Sequence, residues 1–365
     1  MSAAPFRPHP IIILLLCAAL AMPAHQAHAQ PSGAPPPRIT ITEPLAWLRK
    51  GPGLTTGNVA PVVKGQFYDV LGRSADGLWW QIRAPGTQRP AWLFAPMGAT
   101  YSGDITTAPV LTPSVKLPLV SGKLPALPRR LVVPAGMPVI TERHRQWYRN
   151  STRFGKDLGL FTVVGDCNSM PSVYVRRVAN GDYDTSQLPL RLQAVVQRFE
   201  RSFGRISLAA EGGFSAAAMM DPTWANSALC DVQRGVGPFA CELWVSRASV
   251  VFIALGTQEQ YTWQDFEKHY RPLVEHALEK GVLPVLVTKA DDLETASGAS
   301  PGYINDTIRR LAREYDVPLL DFYLATRDLP NFGLIDEGDK DFHLSRAGMD
   351  RRLLLTLLTL AALVE

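Results

Sequence analysis

Four short stretches of the chain carry residue types that together could perform acyl transfer. They are Gly165-Asp166-Cys167-Asn168-Ser169, Glu211-Gly212-Gly213-Phe214-Ser215, Gly256-Thr257-Gln258-Glu259 and Asp339-Lys340-Asp341-Phe342-His343-Leu344-Ser345. The first offers a thiol after a Gly-Asp turn, where backbone amides can stabilise a thiolate or an oxyanion. The second offers glycine, which lets a backbone N–H approach a substrate oxygen closely. The third offers the Gln258 amide, able to donate to the same oxygen. The fourth offers His343 as a base. A nucleophile, oxyanion donors and a base are the set that acyl transfer requires.

Competing chemistry finds less support. Beyond residue 29 the other histidines are His144, His269 and His276. His144 lies in the basic stretch Arg143-His144-Arg145, and the other two share a helix rich in surface charge. All three read as structural or solvated. No Asp/Glu/Cys cluster at ligand spacing accompanies them, so no metal is expected. There is no Walker loop and no Gly-x-Gly-x-x-Gly after a strand, so no cofactor is expected either. Lys289-Ala290-Asp291-Asp292-Leu293-Glu294 and Asp321 are further polar stretches, read as capping rather than substrate contact.

The elements that must position these groups begin at about residue 139. Apolar runs at 160–164, 206–209, 250–255, 282–287 and 317–320 are short, and most contain β-branched residues. Amphipathic stretches at 190–203, 263–280 and 303–315 alternate with them. That alternation predicts an α/β domain, a parallel sheet covered by helices on both faces, with chemistry at the carboxyl ends of its strands. Ser345 is placed to cap the last helix. Upstream, residues 39–97 read as short alternating strands with a Gly51-Pro52-Gly53 turn and an Asp76-Gly77 hairpin signal before Trp79-Trp80. Residues 98–138 are proline-rich with little periodicity and read as a semi-rigid linker.

The first 29 residues set the expected compartment. Arg7, the uncharged run 11–22 and Ala27-His28-Ala29 follow the pattern of a secretory signal peptide cleaved after Ala29. The exported, periplasmic or extracellular chain would then carry no transmembrane span, because the run 353–364 is short and helical in pattern. Cleavage removes Cys17, leaving three of the 4 cysteines. Cys230 and Cys241 flank the loop 231–240 and are expected to pair in an oxidising compartment, leaving Cys167 as the odd thiol. The 365 residues, 46% hydrophobic and 19% charged, suit a globular protein of two domains. The net charge of +4 is too small to imply a nucleic-acid partner.

Residues 39–97, with the turns and tryptophans described (Trp92 included), resemble a bacterial SH3-like domain. That resemblance implies binding of cell-wall peptide or glycan, or simple spacing; core packing is the competing role for Trp79, Trp80 and Trp92. Residues 139–365 resemble the SGNH, or GDSL-type, hydrolases. The resemblance implies a three-layer α/β/α, flavodoxin-like fold acting on small ester substrates. It places Cys167 at the nucleophile position and His343 at the base position, with Asp341 or Asp339 able to orient the imidazole. It assigns oxyanion or binding roles to Gly213 (Gly212 remaining open), Gln258, Asp166 and Asn168. Three positions depart from the family: cysteine replaces serine, Gln258 replaces asparagine, and Lys340 stands where the family has aspartate. These departures leave a second reading open, an inactive descendant that binds cell-envelope glycan or peptide.

Overall fold

A computed structural model of the chain describes residues 35–112, 124–126, 128, 132–335 and 342–365. The expected leader at 1–29, much of the expected linker, and Asp339, Lys340 and Asp341 lie outside the described residues.

The amino-terminal region is all β: β1 (Arg38–Ile41), β2 (Leu45–Arg49), β3 (Asn58–Val63), β4 (Phe67–Asp69), β5 (Gly72–Arg73), β6 (Trp79–Arg83), β7 (Pro90–Phe94) and β8 (Gly98–Ser102). They form two antiparallel sheets, ordered β4-β1-β8 and β3-β2-β7-β6-β5. Trp79, Trp80 and Trp92 are only 1%, 8% and 3% exposed, so they are core and not a ligand platform. The β structure runs beyond residue 97, because β8 pairs with β1. Arg73 then takes part in two more backbone bonds, to Pro109 O at 2.9 Å and from Leu111 N at 2.9 Å. The start of the stretch read as linker is therefore strand and strand-bonded chain. Pro109 fits there because it supplies only a carbonyl.

The rest is built on a parallel sheet of β9 (Asp157–Gly165), β10 (Ala248–Ala254), β11 (Leu283–Val287) and β12 (Leu319–Leu320), lying side by side in chain order. The principal helices are α1 (Glu142–Asn150), α2 (Arg176–Asn180), α3 (Leu190–Arg198), α4 (Glu200–Phe203), α5 (Ala216–Met220), α6 (Pro238–Ser246), α7 (Phe266–Glu279), α8 (Tyr303–Glu314), α9 (Phe322–Ala325) and α10 (Arg346–Leu363). Alternate strand residues feed two separate cores, as the period-two pleat requires. Val250 and Phe252 of β10 pack with α3, α4, α9 and α10, whereas Val251 and Ile253 pack with α5, α6, α7 and α8. The result is a three-layer α/β/α arrangement. No described helix is long and apolar enough to cross a membrane.

One expected strand does not form. The run 206–209 is reduced to a single bridge between Gly165 and Ala210. Leu208 N donates to the buried Glu242 carboxylate at 2.9 Å, which also receives Thr162 Oγ1 at 2.6 Å. A side-chain acceptor thus takes the amide that a ladder would have used, and Ile206 stays exposed.

The β region is packed into the same core as one face of this sheet. Arg49 of β2 is fully buried and donates to Val178 O of α2 at 3.0 Å and to Thr56 O at 3.3 Å. Glu43 pairs with Arg176 at 2.6 Å, and Leu54 N donates to Glu200 at 3.1 Å. Gly181 lies so close to Trp47 that a Cβ would meet its side chain at 2.7 Å.

Candidate active site

The thiol turn follows β9 because of a close approach. A Cβ on Gly165 would meet the Ala254 carbonyl at 2.3 Å and the Ser169 hydroxyl at 2.2 Å, so only glycine fits where the strands converge. Asp166 then turns the chain: its carboxylate accepts from Asn168 N at 3.0 Å and opens a single helical turn, Cys167–Ser169. Asp166 is buried, and that burial pushes its carboxyl up to about 6 against the pull of Arg352.

Cys167 is half-buried and not in a disulfide. Burial, followed by the Asp166 charge, pushes its thiol up to about 12. A thiol raised in this way is predominantly neutral at neutral pH.

Asn168 makes the decisive junction. Its Nδ2 donates to Phe342 O at 3.0 Å and its Oδ1 accepts from Leu344 N at 3.0 Å, so one side chain grips the backbone on both sides of His343. The histidine segment is held from below as well: Ile335 N donates to His343 O at 2.9 Å and Ser345 N to Gly333 O at 2.9 Å. Ser345 then caps α10, accepting from Gly348 N at 3.3 Å. Inside α10, the buried Arg352 reaches back to Asn168 O at 2.9 Å and Ser169 Oγ at 2.9 Å, with its guanidinium 4.2 Å from the Tyr174 ring. Arg352 had no place among the candidate residues. Arg352 closes the charged stretch Asp350-Arg351-Arg352 just before the apolar run of α10, so no local signal set it apart from its neighbours.

The glycine loop sits beside this turn. Gly165 N donates to Ala209 O at 2.9 Å and Glu211 N to Gly165 O at 3.3 Å. A Cβ on Gly212 would lie 3.9 Å from Cys167 Cβ, whereas one on Gly213 would meet nothing within 4 Å. Gly212 is thus the glycine that lies beside Cys167. Gly213, at φ +87°, makes the turn that presents it. The loop after β10 holds the glycine loop from the other side, because the buried Glu259 accepts from Ala216 N at the start of α5. Its second oxygen, Oε2, has no hydrogen-bond partner among the described residues, and burial followed by the Asp166 charge raises its carboxyl to about 7. Gln258, beside it, is half-buried.

Beneath the turn a cavity of about 20 Å³, room for roughly one water, is lined by Asp166, Asn168, Thr257, Lys289 and Arg352. Lys289 is locked to Asp291 at 2.5 Å and to Glu294, and Asp321 bonds Arg309 and caps α9, so both polar stretches are structural. His144 is buried as a helix-capping residue of α1. Cys230 and Cys241 are joined by a disulfide. Among the described residues, no three His, Cys, Asp or Glu side chains converge as a metal site would need.

No protein-family profile and no curated protein matches the sequence. Solved structures do align with it. A GDSL-like lipase of Bacteroides thetaiotaomicron is 14% identical over 60% of this chain and 98% of its own, with a TM-score of 0.36. A Bacteroides fragilis protein classed as an acylhydrolase aligns over 59% of this chain and 94% of its own, at 14% identity and a TM-score of 0.37. A Slackia heliotrinireducens protein classed as an SGNH hydrolase aligns over 55% and 97%, at 17% identity and a TM-score of 0.36.

Proposed function

We propose that this chain is an exported SGNH-type ester hydrolase that uses Cys167 as nucleophile and His343 as base. The observation that carries this reading is the Asn168 clamp, which ties the backbone flanking His343 to the thiol turn through two 3.0 Å hydrogen bonds. In the reaction, Cys167 Sγ attacks the ester carbonyl carbon while His343 takes the thiol proton. The negative oxygen would be met by the amides of Cys167 and Gly212 or Gly213, with the Gln258 side chain. The alcohol departs with the proton from His343, leaving a thioester. Water, deprotonated by the same histidine, then releases the acid and restores the thiol. Asp341 would orient the imidazole. O-acylated glycan of the cell envelope is the proposed substrate class, in keeping with the leader expected at 1–29 and the SH3-like resemblance of residues 39–97.

Purified protein should hydrolyse short-chain nitrophenyl esters. Cys167→Ala and His343→Ala should each reduce kcat at least a hundredfold, while the double variant Cys230→Ala/Cys241→Ala keeps most activity per folded molecule. Full activity in Cys167→Ala would overturn the assignment. A second reading, a non-catalytic envelope protein that binds glycan or peptide, is favoured by the thiol at about 12 and by the longer amide at Gln258. It predicts no ester turnover, but a rise in Tm with wall fragments that is retained in Cys167→Ala.

A further inference from the structure

A second, larger cavity lies away from the thiol turn. It measures about 580 Å³ and is walled by α6 from Ala240 to Trp244, the end of α7 and the loop that the Cys230–Cys241 disulfide closes. Lys156 immediately precedes β9 and Cys167 follows its far end, so the nine-residue strand sets the two places roughly 30 Å apart. This is the amino-terminal edge of the sheet, opposite the proposed chemistry.

The charges around this cavity are predominantly of one sign. Lys156, Arg234, His276 and Lys280 line it, and Asp231 is the single carboxylate among the lining residues, already paired with Arg234 at 3.3 Å. Burial, followed by Lys280 and Arg247, depresses the Lys156 ammonium, whose Nζ is fixed by donating to Leu243 O at 2.8 Å. Burial and then Lys280 likewise depress His276. Lys156 and Lys280 therefore repel one another beside a His276 ring held toward its neutral form, and a bound anion would relieve that repulsion. Trp244 stands at the same cavity, 74% exposed. An exposed indole beside a basic hollow suits a ring with apolar C–H faces that also carries negative charge.

We propose that this cavity binds an acidic saccharide, stacking one sugar on Trp244 and holding its carboxylate, sulfate or phosphate with Lys156 and Lys280. The site stands on its own residues and holds whether or not Cys167 is catalytic. It would anchor the protein on an anionic glycan through the face opposite the thiol.

Calorimetric titration of the chain from residue 30 with trigalacturonate tests this, using galactotriose and inorganic phosphate as controls. Trigalacturonate should bind, and more weakly as salt rises. Trp244→Ala and Lys280→Glu, both at exposed positions, should each weaken it at least tenfold without changing Tm, and Cys167→Ala should leave it unchanged. No binding, equal binding of galactotriose, or loss of binding in Cys167→Ala would overturn the proposal. So would phosphate bound as tightly as trigalacturonate and indifferent to Trp244→Ala, which marks an anion site alone.

Discussion

Three acidic groups around the thiol turn share one electrostatic problem: Asp166, Glu259 and Cys167 are sunk in protein while Asp166 faces the other two. Glu259 is 3% exposed and raised from an ordinary 4.5 to about 7, so folding favours its protonated form. Its cost of ionisation is absent below about 4.5, grows as pH rises through that window, and is complete above about 7. Glu259→Gln keeps an oxygen for Ala216 N and removes the charge. The variant should be more stable than the parent at pH 8, by on the order of 3 kcal/mol, and no more stable at pH 4.5. Urea denaturation at the two values checks the sign. Cys167 gives a companion test. A thiol at about 12 should react with iodoacetamide at pH 7.5 at least tenfold more slowly than free cysteine, accelerating with pH. Rapid alkylation at pH 7.5 would mean that the site stores thiolate after all.

At the scale of elements, the site is a junction between the end of β9 and the entry to α10, and Asn168 is the part that joins them. Asn168→Ala deletes both bonds to the histidine segment. It should cost about 1–3 kcal/mol of stability. If the proposed hydrolase reading holds, it should also reduce ester turnover at least tenfold, with a smaller change in KM, because the proposed base His343 would be displaced. Thermal melts and steady-state kinetics on one preparation separate the two effects. This junction was only half legible beforehand. Gly165-Asp166-Cys167 and Ser345 announce a turn and a cap by local chemistry. The bonds from Asn168 to residues 342 and 344, however, span 174 and 176 positions, and no local pattern encodes such pairs. The lost strand at 206–209 teaches the same lesson in reverse. Its residues suit a strand, but the carboxylate of Glu242, more than thirty positions away, claims the Leu208 amide.

For the whole molecule, the consequential fact is that the β region and the α/β region share a core. Arg49 crosses between them; burial pulls its guanidinium down to about 10 against the attraction of Asp184 and Glu200, and it still remains charged at neutral pH. The chain from residue 30 should therefore melt in one calorimetric transition rather than two. Arg49→Ala should lower the midpoint of that single transition, at a cost of about 3 kcal/mol. Two separated transitions would show that the regions fold independently. The β region thus acts as a buttress on α2, the helix that follows the thiol turn; Trp79, Trp80 and Trp92 are buried in its own core, while Trp47 lies against Gly181 just after α2.

The sequence by itself determined what depends on neighbours along the chain. It set the alternation that gives a parallel sheet, the glycine and aspartate that turn the chain at Cys167, the cap at Ser345, and the short loop that brings Cys230 to Cys241. Only the tertiary structure decided which glycine lies beside Cys167, that Arg352 props the turn, that burial pushes the thiol up, and that the β region is docked rather than tethered. Those outcomes depend on burial and on pairs of groups far apart along the chain, such as Arg352 with Asn168 and Arg49 with Val178. A backbone preference is written locally, but desolvation and long-range hydrogen bonding exist only once the layers have closed on one another.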